Sequence, residues 1–308
     1  MNIPLLNLTC LNCHTQLEVQ AADLLVCPND GREYLCVEGI WRCLLPERAQ
    51  YYARFLQEYE TIRLAEGRGS HDPQYYRALP FEDFSGRSGK DWRIRARSFT
   101  TFVKQVLSPL EHEQGTTMKI LDLGAGNGWL SNRLAQRGHR MAAIDLRTGE
   151  LDGLAALRHY NSAILAVQAE FDHLPFMDDE FDLAIFNASL HYTGDYTTTL
   201  EETLRVLTPA GRLAIIDSPL YHQAKSGQAM VTERQERFKQ LYGFPSNALP
   251  SQDFLTPTQL EKLSHDLSLT WQTFRPFFGL GWLLRPWQAR LRGRREPASF
   301  PVLVGRRL

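Results

Sequence analysis

The chain has 308 residues, of which 43% are hydrophobic and 22% are charged, and its formal net charge is −1. This composition is typical of a globular protein, and it excludes a disordered, collagen-like or strongly basic chain. The charge is nevertheless uneven, because residues 275–308 carry eight arginines against one glutamate, a local net charge of +7.

The cysteines give the first indication of chemistry. All five lie within the first 43 residues, and the sequence shows no secretory signal pattern. An odd, clustered set of this kind favours a metal site or free thiols over a disulfide framework. No apolar run is long enough to span a bilayer. We therefore expect a cytoplasmic protein without a transmembrane segment.

The pattern along the chain divides it into three segments. Residues 1–46 form a cysteine-bearing, turn-rich segment, residues 47–117 carry helical periodicity, and residues 118–308 form the main domain. The first helix of the middle segment is expected to end at Gly67. Its apolar stripe consists of Tyr52, Phe55, Leu56, Tyr59 and Ile62.

A second helix is predicted over residues 91–107, with Asp91 as its N-cap. Two further helices are expected around residues 228–242 and 257–267. We interpret the helical segment 47–117 as a cap that covers the site of the main domain.

The main domain alternates between apolar strands and helices. Continuous apolar strands that alternate with helices indicate a parallel sheet covered on both faces. The helices are expected at 128–138, 150–160 and 196–207. The strands are expected at 118–123, 140–146, 163–168, 181–187 and 212–217, with two closing strands at 269–275 and 300–306.

A glycine-rich turn follows the first of these strands. It reads LDLGAGNGWL, with Gly124, Gly126 and Gly128 followed by Trp129. In an open parallel sheet, ligands bind at the carboxyl ends of the strands. Asp145 ends the second strand, where an acidic side chain accepts hydrogen bonds from ribose hydroxyls. Dinucleotide sites use the same acid, so Asp145 alone does not identify the ligand.

Two residues of this turn argue against a dinucleotide. The dinucleotide fingerprint places a third glycine where this chain has Trp129, and a tryptophan there obstructs the close packing beside a pyrophosphate. Asp122 adds a carboxylate that repels phosphate and suits a cationic ligand. S-adenosylmethionine carries an ammonium and a sulfonium and no phosphate, so it fits this turn better.

The stretch 118–217 resembles class I S-adenosylmethionine-dependent methyltransferases of the type 11 group. Four of its motifs carry the resemblance, in the family's order: ILDLGAGNGWLS, AIDL, EFDHLPFMDDEFDLAIFNASLHY and LRVLTPAGRLAIID. The resemblance implies a Rossmann-like α/β fold. We expect a seven-stranded, mostly parallel sheet with helices on both faces, plus a small N-terminal ribbon and a helical cap.

The resemblance also implies the residues that hold the cofactor. Asp122 and the backbone of Gly124 and Gly126 would hold the methionine part, Asp145 the ribose, and Leu146 the adenine face. In the adenine pocket, Glu170 stands where the family commonly has aspartate and would accept from the exocyclic amine. The backbones of Phe171 and Asn187 would complete the site.

The acceptor chemistry is less defined. Methyl transfer from a sulfonium is an in-line displacement that requires alignment and exclusion of water, and a base only where the nucleophile must lose a proton. No cysteine follows Cys43, which argues against methylation at cytosine C5. The base candidates near the strand ends are His191, Tyr192, Asp217 and His222, of which we retain His191 and Tyr192. A packing role is the alternative for His191.

The N-terminal segment resembles a zinc ribbon of the kind fused ahead of some methyltransferases, including a ribosomal-RNA guanine methyltransferase group. The usual second Cys-x-x-Cys pair reads Cys27-Pro-Asn-Asp30 here. A closed zinc site needs four ligands, and a carboxylate can be one of them. Cys10, Cys13, Cys27 and Asp30 are therefore the candidate ligands, with His14, Cys36 and Cys43 as alternative ligands. The alternative is a degenerate ribbon that folds without metal.

Three functions remain open at this point. We favour a methyltransferase that acts on a small-molecule or lipid-like acceptor. The ribbon and the stretch 275–295, which joins aromatic residues to the arginine-rich segment 285–295, leave open a ribosomal-RNA methyltransferase. A non-catalytic module that binds the cofactor, or no cofactor, is the third. The sequence does not fix the oligomeric state.

Overall fold

A computed structural model describes residues 7–115 and 117–308. The first six residues of the predicted 1–46 segment, and Thr116 near the end of the predicted 47–117 segment, lie outside the described residues. None of the helices within the described ranges is both long and apolar enough to cross a membrane.

The N-terminal ribbon is a four-stranded antiparallel meander. Its strands are β1 (Glu18–Ala21), β2 (Leu24–Val26), β3 (Glu33–Val37) and β4 (Ile40–Arg42). The turn between β3 and β4 consists of Glu38 and Gly39, both at positive φ. Two such residues form a tight turn whose twist matches that of the flanking strands.

The main sheet follows the ribbon in seven further strands. They are β5 (Lys119–Leu123), β6 (Arg140–Asp145), β7 (Ile164–Gln168), β8 (Phe181–Asn187), β9 (Leu207–Ile216), β10 (Leu269–Phe274) and β11 (Val302–Arg307). Strands β5 to β9 run parallel in the order β7-β6-β5-β8-β9, and β11 pairs antiparallel with both β9 and β10.

The sheet as a whole differs from the predicted seven strands. Within the described residues it has eleven, because β4 pairs in parallel with β7 and thereby attaches the ribbon to the edge of the main sheet. Ile40 lies opposite Ala166 in this pairing and is buried. The ribbon therefore covers an edge that would otherwise expose unpaired backbone groups. The α/β class and its parallel core are as predicted.

Helices cover both faces of the sheet. They are α1 (Pro46–Ala65), α2 (Pro73–Ala78), α3 (Gly89–Phe102), α4 (Ser108–Gln114), α5 (Trp129–Ala135), α6 (Tyr196–Val206), α7 (Ala224–Tyr242), α8 (Pro257–Asp266), α9 (Leu280–Leu283) and α10 (Arg285–Leu291). A π-helical turn, Val103–Leu107, joins α3 to α4.

Two local predictions were wrong. Asp91 is not the N-cap of α3, because the helix begins two residues earlier, at Gly89, with Ser88 as its N-cap. The carboxylate of Asp91 instead accepts a hydrogen bond from Arg68 at 2.7 Å. The helix predicted over 150–160 is a 3₁₀ helix, Leu154–His159. The loop before it folds back through a bond from the Leu154 amide to the Arg147 carbonyl, which leaves few residues for a helix.

Candidate functional site

The glycine-rich turn lies between β5 and α5, and its three glycines have different roles. Gly124, Gly126 and Gly128 all have positive φ, which L side chains rarely adopt. A Cβ at Gly124 would lie 2.4 Å from the Cβ of Ser189, and one at Gly128 would lie 2.2 Å from Leu157. A Cβ at Gly126 would meet nothing within 4 Å. Two of the glycines therefore allow close packing, and Gly126 faces open space.

That space is a cleft between the turn, the carboxyl ends of β5, β6 and β8, and helix α1. It is open to solvent on one side and measures about 1210 Å³ with its open mouth included. Seven of the eight predicted cofactor residues line it. They are Gly124, Gly126, Asp145, Leu146, Glu170, Phe171 and Asn187.

Asp145 is held by two backbone amides at the end of β6. Its Oδ2 accepts from the Gly126 N–H and its Oδ1 from the Arg147 N–H, each at 2.8 Å. Burial raises the pKa of this carboxyl, although the two amides and the Arg147 charge oppose the rise. Each carboxylate oxygen keeps a further lone pair, so the group is fixed in place and can still accept hydrogen bonds from a ligand.

Asp122 is the predicted cofactor residue that does not line the cleft. It is fully buried, and its Oδ2 accepts from the Ser131 hydroxyl in the first turn of α5 at 2.7 Å. Its Oδ1 has no partner in the described residues. Burial, together with the nearby Asp145, raises the pKa of Asp122 to about 7. The Asp122 side chain therefore lies beneath the glycine turn and does not contact the cleft directly.

Glu170 lines the cleft, but its carboxylate is already engaged. The Arg48 guanidinium donates to both oxygens, and the Tyr52 hydroxyl donates to Oε2 at 2.8 Å. The Glu170 Oε1 also lies 3.2 Å from Nδ1 of His173. These contacts use most of the four lone-pair positions of the group. Glu170 thus attaches α1 to the main domain, a pairing that the sequence analysis missed.

A second group of ion pairs attaches α1 to the main domain near the C-terminal end of the helix. Arg63 donates to Asp152 at 2.5 Å, and Arg147 donates to the same carboxylate at 3.0 Å. Tyr59 lies under both guanidinium groups. The attraction of the two arginines lowers the pKa of Asp152 in spite of its burial. One stripe of α1 therefore forms a wall of the cleft.

The sequence contained a partial signal for this wall. The predicted apolar stripe of α1 includes Tyr52, Phe55 and Tyr59, and all three line the cleft. Arg48 and Arg63 continue the same stripe at helical spacing. Arginines on a helix usually face solvent, so periodicity alone did not assign them to the cleft.

Arg95 is another residue of the cleft that the sequence analysis did not identify. It projects from α3, lines the cleft, and has its guanidinium 4.9 Å from the centre of the Trp92 ring. It forms no salt bridge within the part of the chain that the structure describes. A positive charge without a carboxylate partner beside the glycine turn suits an anionic group of a ligand.

The two base candidates occupy different positions. Tyr192 lines the cleft, and its ring packs edge-on against Tyr59 at a centroid distance of 5.7 Å. His191 does not line the cleft, and its Nδ1 is buried without a partner in the described residues. Burial and the charges of Arg234 and Arg95 lower the pKa of His191 to about 3. The imidazole is therefore neutral and a weak base.

The ribbon brings the four predicted metal ligands together. The ligand atoms of Cys10, Cys13, Cys27 and Asp30 all lie within 4.8 Å of one another. The Cys13 and Cys27 sulfurs are 3.5 Å apart, and the Cys10 sulfur lies 3.4 Å from a carboxylate oxygen of Asp30. The two remaining cysteines lie outside this group, on β3 and directly after β4.

Part of the chain is similar to known methyltransferases. Residues 121–215 match a family model described as a methyltransferase domain. A malonyl-[acyl-carrier protein] O-methyltransferase from Buchnera aphidicola is 30% identical over 122 residues, which cover 39% of this chain and 48% of that protein. A demethylmenaquinone methyltransferase from Clavibacter sepedonicus is 35% identical over 99 residues, which cover 32% of this chain and 40% of that protein.

The chain spans about half the length of the first of these relatives and less of the second. Among solved structures, a Burkholderia thailandensis 1,6-didemethyltoxoflavin-N1-methyltransferase with bound S-adenosylhomocysteine is 16% identical. The match covers 94% of this chain and 98% of that one, with a TM-score of 0.47. Residues 121–215 therefore match the methyltransferase domain family that the four motifs implied.

Proposed function

We propose that the chain is an S-adenosylmethionine-dependent methyltransferase that acts on a small-molecule or lipid-like acceptor. The observation that carries this proposal is the cleft at the carboxyl ends of β5 and β6. Gly126 faces its open space, and Asp145 is held at its edge by two backbone amides. We propose the segments 1–46, 47–117 and 118–308 as ribbon, cap and catalytic domain.

The residues of the cleft fit this cofactor. Asp145 would accept from the ribose hydroxyls, and Leu146 would pack on the adenine. The backbone of Gly124 and Gly126 would hold the methionine part, and Arg95 would pair with its carboxylate. The buried Asp122 would supply negative potential beneath the positively charged donor.

The adenine end of the site includes Glu170, Phe171 and Asn187. We propose that Glu170 holds α1 over the adenine through Arg48, because its lone pairs are largely used by that helix. The Phe171 backbone would contact the adenine ring. Asn187 has a buried Oδ1 without a partner in the described residues, and this atom is available to a bound ligand.

Trp129 supports this cofactor over a dinucleotide. Its ring is buried at the first position of α5, with the Trp92 and Phe99 rings edge-on at 6.0 and 5.6 Å. The side chain thus fills the place where a dinucleotide site has glycine. Position 129 therefore lacks both the third glycine of the dinucleotide fingerprint and the space that this glycine creates.

When bound, S-adenosylmethionine supplies a methyl group on an activated sulfonium. The chain's own contribution is to bind both reactants, align them and exclude water. The stripe of α1 and Tyr192 line the cleft with aromatic rings, which suits water exclusion. His191 has a low pKa and lies off the cleft, so we do not assign it as a base. Tyr192 remains the candidate that could touch an acceptor.

Part of the lining supports an apolar or lipid-like acceptor. Tyr51, Phe55, Leu249 and Pro250 line the cleft, and all carry apolar surface. The relatives named above are methyltransferases of a malonyl-acyl-carrier protein and of demethylmenaquinone. Acceptors of these kinds are the first to test.

The decisive experiment incubates the purified chain with methyl-labelled S-adenosylmethionine and cell extract that has been fractionated into lipids, small molecules and RNA. We expect label in the lipid or small-molecule fraction, and none with Asp145→Ala. Label in RNA alone would favour the ribosomal-RNA function. Tight cofactor binding without transfer to any fraction would favour a non-catalytic module.

We further propose that Cys10, Cys13, Cys27 and Asp30 hold one zinc ion in the ribbon. Thiolate sulfur and carboxylate oxygen are both zinc ligands, and a closed structural site has four of them, with zinc–sulfur distances of about 2.3 Å. Sulfurs about 3.8 Å apart meet that geometry, and the 3.5 Å separation of Cys13 and Cys27 is close to it. The ion would stabilise a segment whose β1 strand is entirely exposed.

Elemental analysis of the purified chain tests this site. We expect about one equivalent of zinc, lost in Cys27→Ser and kept in Cys36→Ser, whose thiol lies outside the cluster. Less than about half an equivalent in the unmodified chain would favour the degenerate ribbon. Equal loss in both variants would place the metal elsewhere.

A further inference from the structure

The helical segment that contains α9 and α10 presents an apolar face to solvent. Leu280, Leu283, Leu284, Trp287 and Leu291 recur at spacings of three and four residues, which places them on one side of a helix. All five are exposed, Leu284 least at 53% and Leu291 most at 85%. We call these five residues the apolar stripe. A stripe of this kind on a helix normally faces the core.

The opposite side of the segment is the one that contacts the protein. The Trp282 ring packs against Phe278 at 4.8 Å and against Phe300 at 6.0 Å. The Arg285 guanidinium lies 3.8 Å over the same Trp282 ring. Because Trp282 packs against the protein on one side of the segment, the apolar stripe on the opposite side faces solvent.

Basic residues lie beside the apolar stripe. Arg290, Arg292 and Arg294 are exposed and form no salt bridge within the described ranges. No acidic residue occurs between positions 275 and 295. Glu296 follows them, and its carboxylate accepts hydrogen bonds from His222 and from the Gln223 amide. The exposed surface here is therefore apolar and positively charged.

We propose that this segment binds the surface of an anionic lipid bilayer. Leucines and a tryptophan on one helical face, with flanking arginines, are the chemistry of a helix that lies in the membrane interface. The apolar stripe would enter the acyl boundary, and the arginines would pair with lipid phosphates. The charge of the segment complements an anionic surface.

Two other occupants fit less well. RNA would pair with the arginines but leave the five apolar side chains in water. A second copy of the chain, docked by twofold symmetry on the same face, would place the arginines of the two copies near one another, and like charges repel. The bilayer satisfies both the apolar stripe and the arginines.

Vesicle co-sedimentation of the full chain tests the proposal without any methyl-transfer assay, so it can fail or succeed independently of the proposed function. The probes are vesicles of phosphatidylcholine alone and vesicles with about one third phosphatidylglycerol. We expect binding to the anionic vesicles, weakened at least about 30-fold by Leu284→Ser with Trp287→Ser. Leu241→Ser, an exposed leucine on α7, is the matched control and should bind normally.

The charge variant replaces Arg290, Arg292 and Arg294 by glutamine. Each arginine near an anionic surface contributes roughly a fivefold factor, so binding should fall about 100-fold, whereas Lys239→Gln on α7 should have little effect. Equal binding to both vesicle types, or none to either, would overturn the proposal. So would RNA binding that needs the arginines but not the apolar stripe, or a dimer that Leu284→Ser dissociates.

Discussion

The two glycines at the centre of the turn offer a paired prediction. Gly124→Ala and Gly126→Ala place the same methyl group at positive φ, so both pay a backbone cost of about 1–2 kcal/mol. Only the Gly124 methyl meets protein, because it would lie 2.4 Å from the Ser189 Cβ. Such overpacking adds about 1–3 kcal/mol. We therefore expect Gly124→Ala to lose about 2–5 kcal/mol in the free energy of unfolding, and Gly126→Ala about 1–2 kcal/mol.

The affinity for S-adenosylmethionine should separate the same variants differently, because Gly126 faces the space assigned to the ligand. The methyl group of Gly126→Ala would enter the open space of the cleft, and S-adenosylmethionine affinity should fall at least about tenfold, or 1.4 kcal/mol. Urea unfolding measures the stabilities and calorimetry the affinity. Adding Ser189→Gly to Gly124→Ala should restore part of the lost free energy of unfolding. Adding it to Gly126→Ala should restore none of the lost affinity for S-adenosylmethionine. An unchanged dissociation constant for Gly126→Ala would refute the assignment of this space to the ligand.

Three further predictions concern carboxylates. Asp145→Asn should weaken S-adenosylmethionine binding about 10- to 100-fold by calorimetry, since it weakens hydrogen bonds to a charged acceptor; unchanged affinity would remove Asp145 from the ribose site. Burial raises the pKa of Asp122 to about 7. Between about pH 4 and 7 the folded chain therefore holds a proton on this carboxyl that the unfolded chain has released. The contribution of Asp122 to the free energy of unfolding falls by up to about 1.4 kcal/mol per pH unit as the pH rises through this window. Asp122→Asn should make the fall of the free energy of unfolding from pH 5 to 8 less steep in urea unfolding, because it removes the contribution of Asp122 and keeps that of Asp145. An identical slope in both proteins would contradict the assignment. Glu170→Gln should destabilise the chain by about 1–3 kcal/mol through its bond with Arg48, whereas Glu150→Gln, from an exposed pair, should have little effect on the free energy of unfolding; equal effects would contradict the role of Glu170 in attaching α1 to the main domain.

Some features of the chain were readable because their signals are local. The glycine turn, the acid that ends β6, and the strand that precedes Asn187 each occupy a few consecutive residues with a fixed spacing. Parallel strands then bring their carboxyl ends to one edge, whatever the distance along the chain. For this reason seven predicted cofactor positions meet at one cleft. The ribbon ligands converged for a similar reason, since two tight turns carry them.

Other features depend on contacts between distant segments. Arg48 meets Glu170 across 122 positions of sequence, and no local pattern records such a pair. Asp122 belongs to the predicted motif, yet its side chain turns to Ser131 beneath the turn instead of toward the cleft. The number of strands was likewise undetermined, because β4 joins the main sheet by backbone bonds that any sequence can make.

The sequence by itself determined the α/β class, the family resemblance of residues 121–215 and the position of the glycine-rich turn, because local spacing and strand ends encode them. Tertiary structure alone decided which charges cover the cleft, how the ribbon extends the sheet, and that the stripe from Leu280 to Leu291 faces water. Burial and ion pairing depend on what lies opposite a residue in space, and periodicity reports only which side of its own helix or strand it occupies.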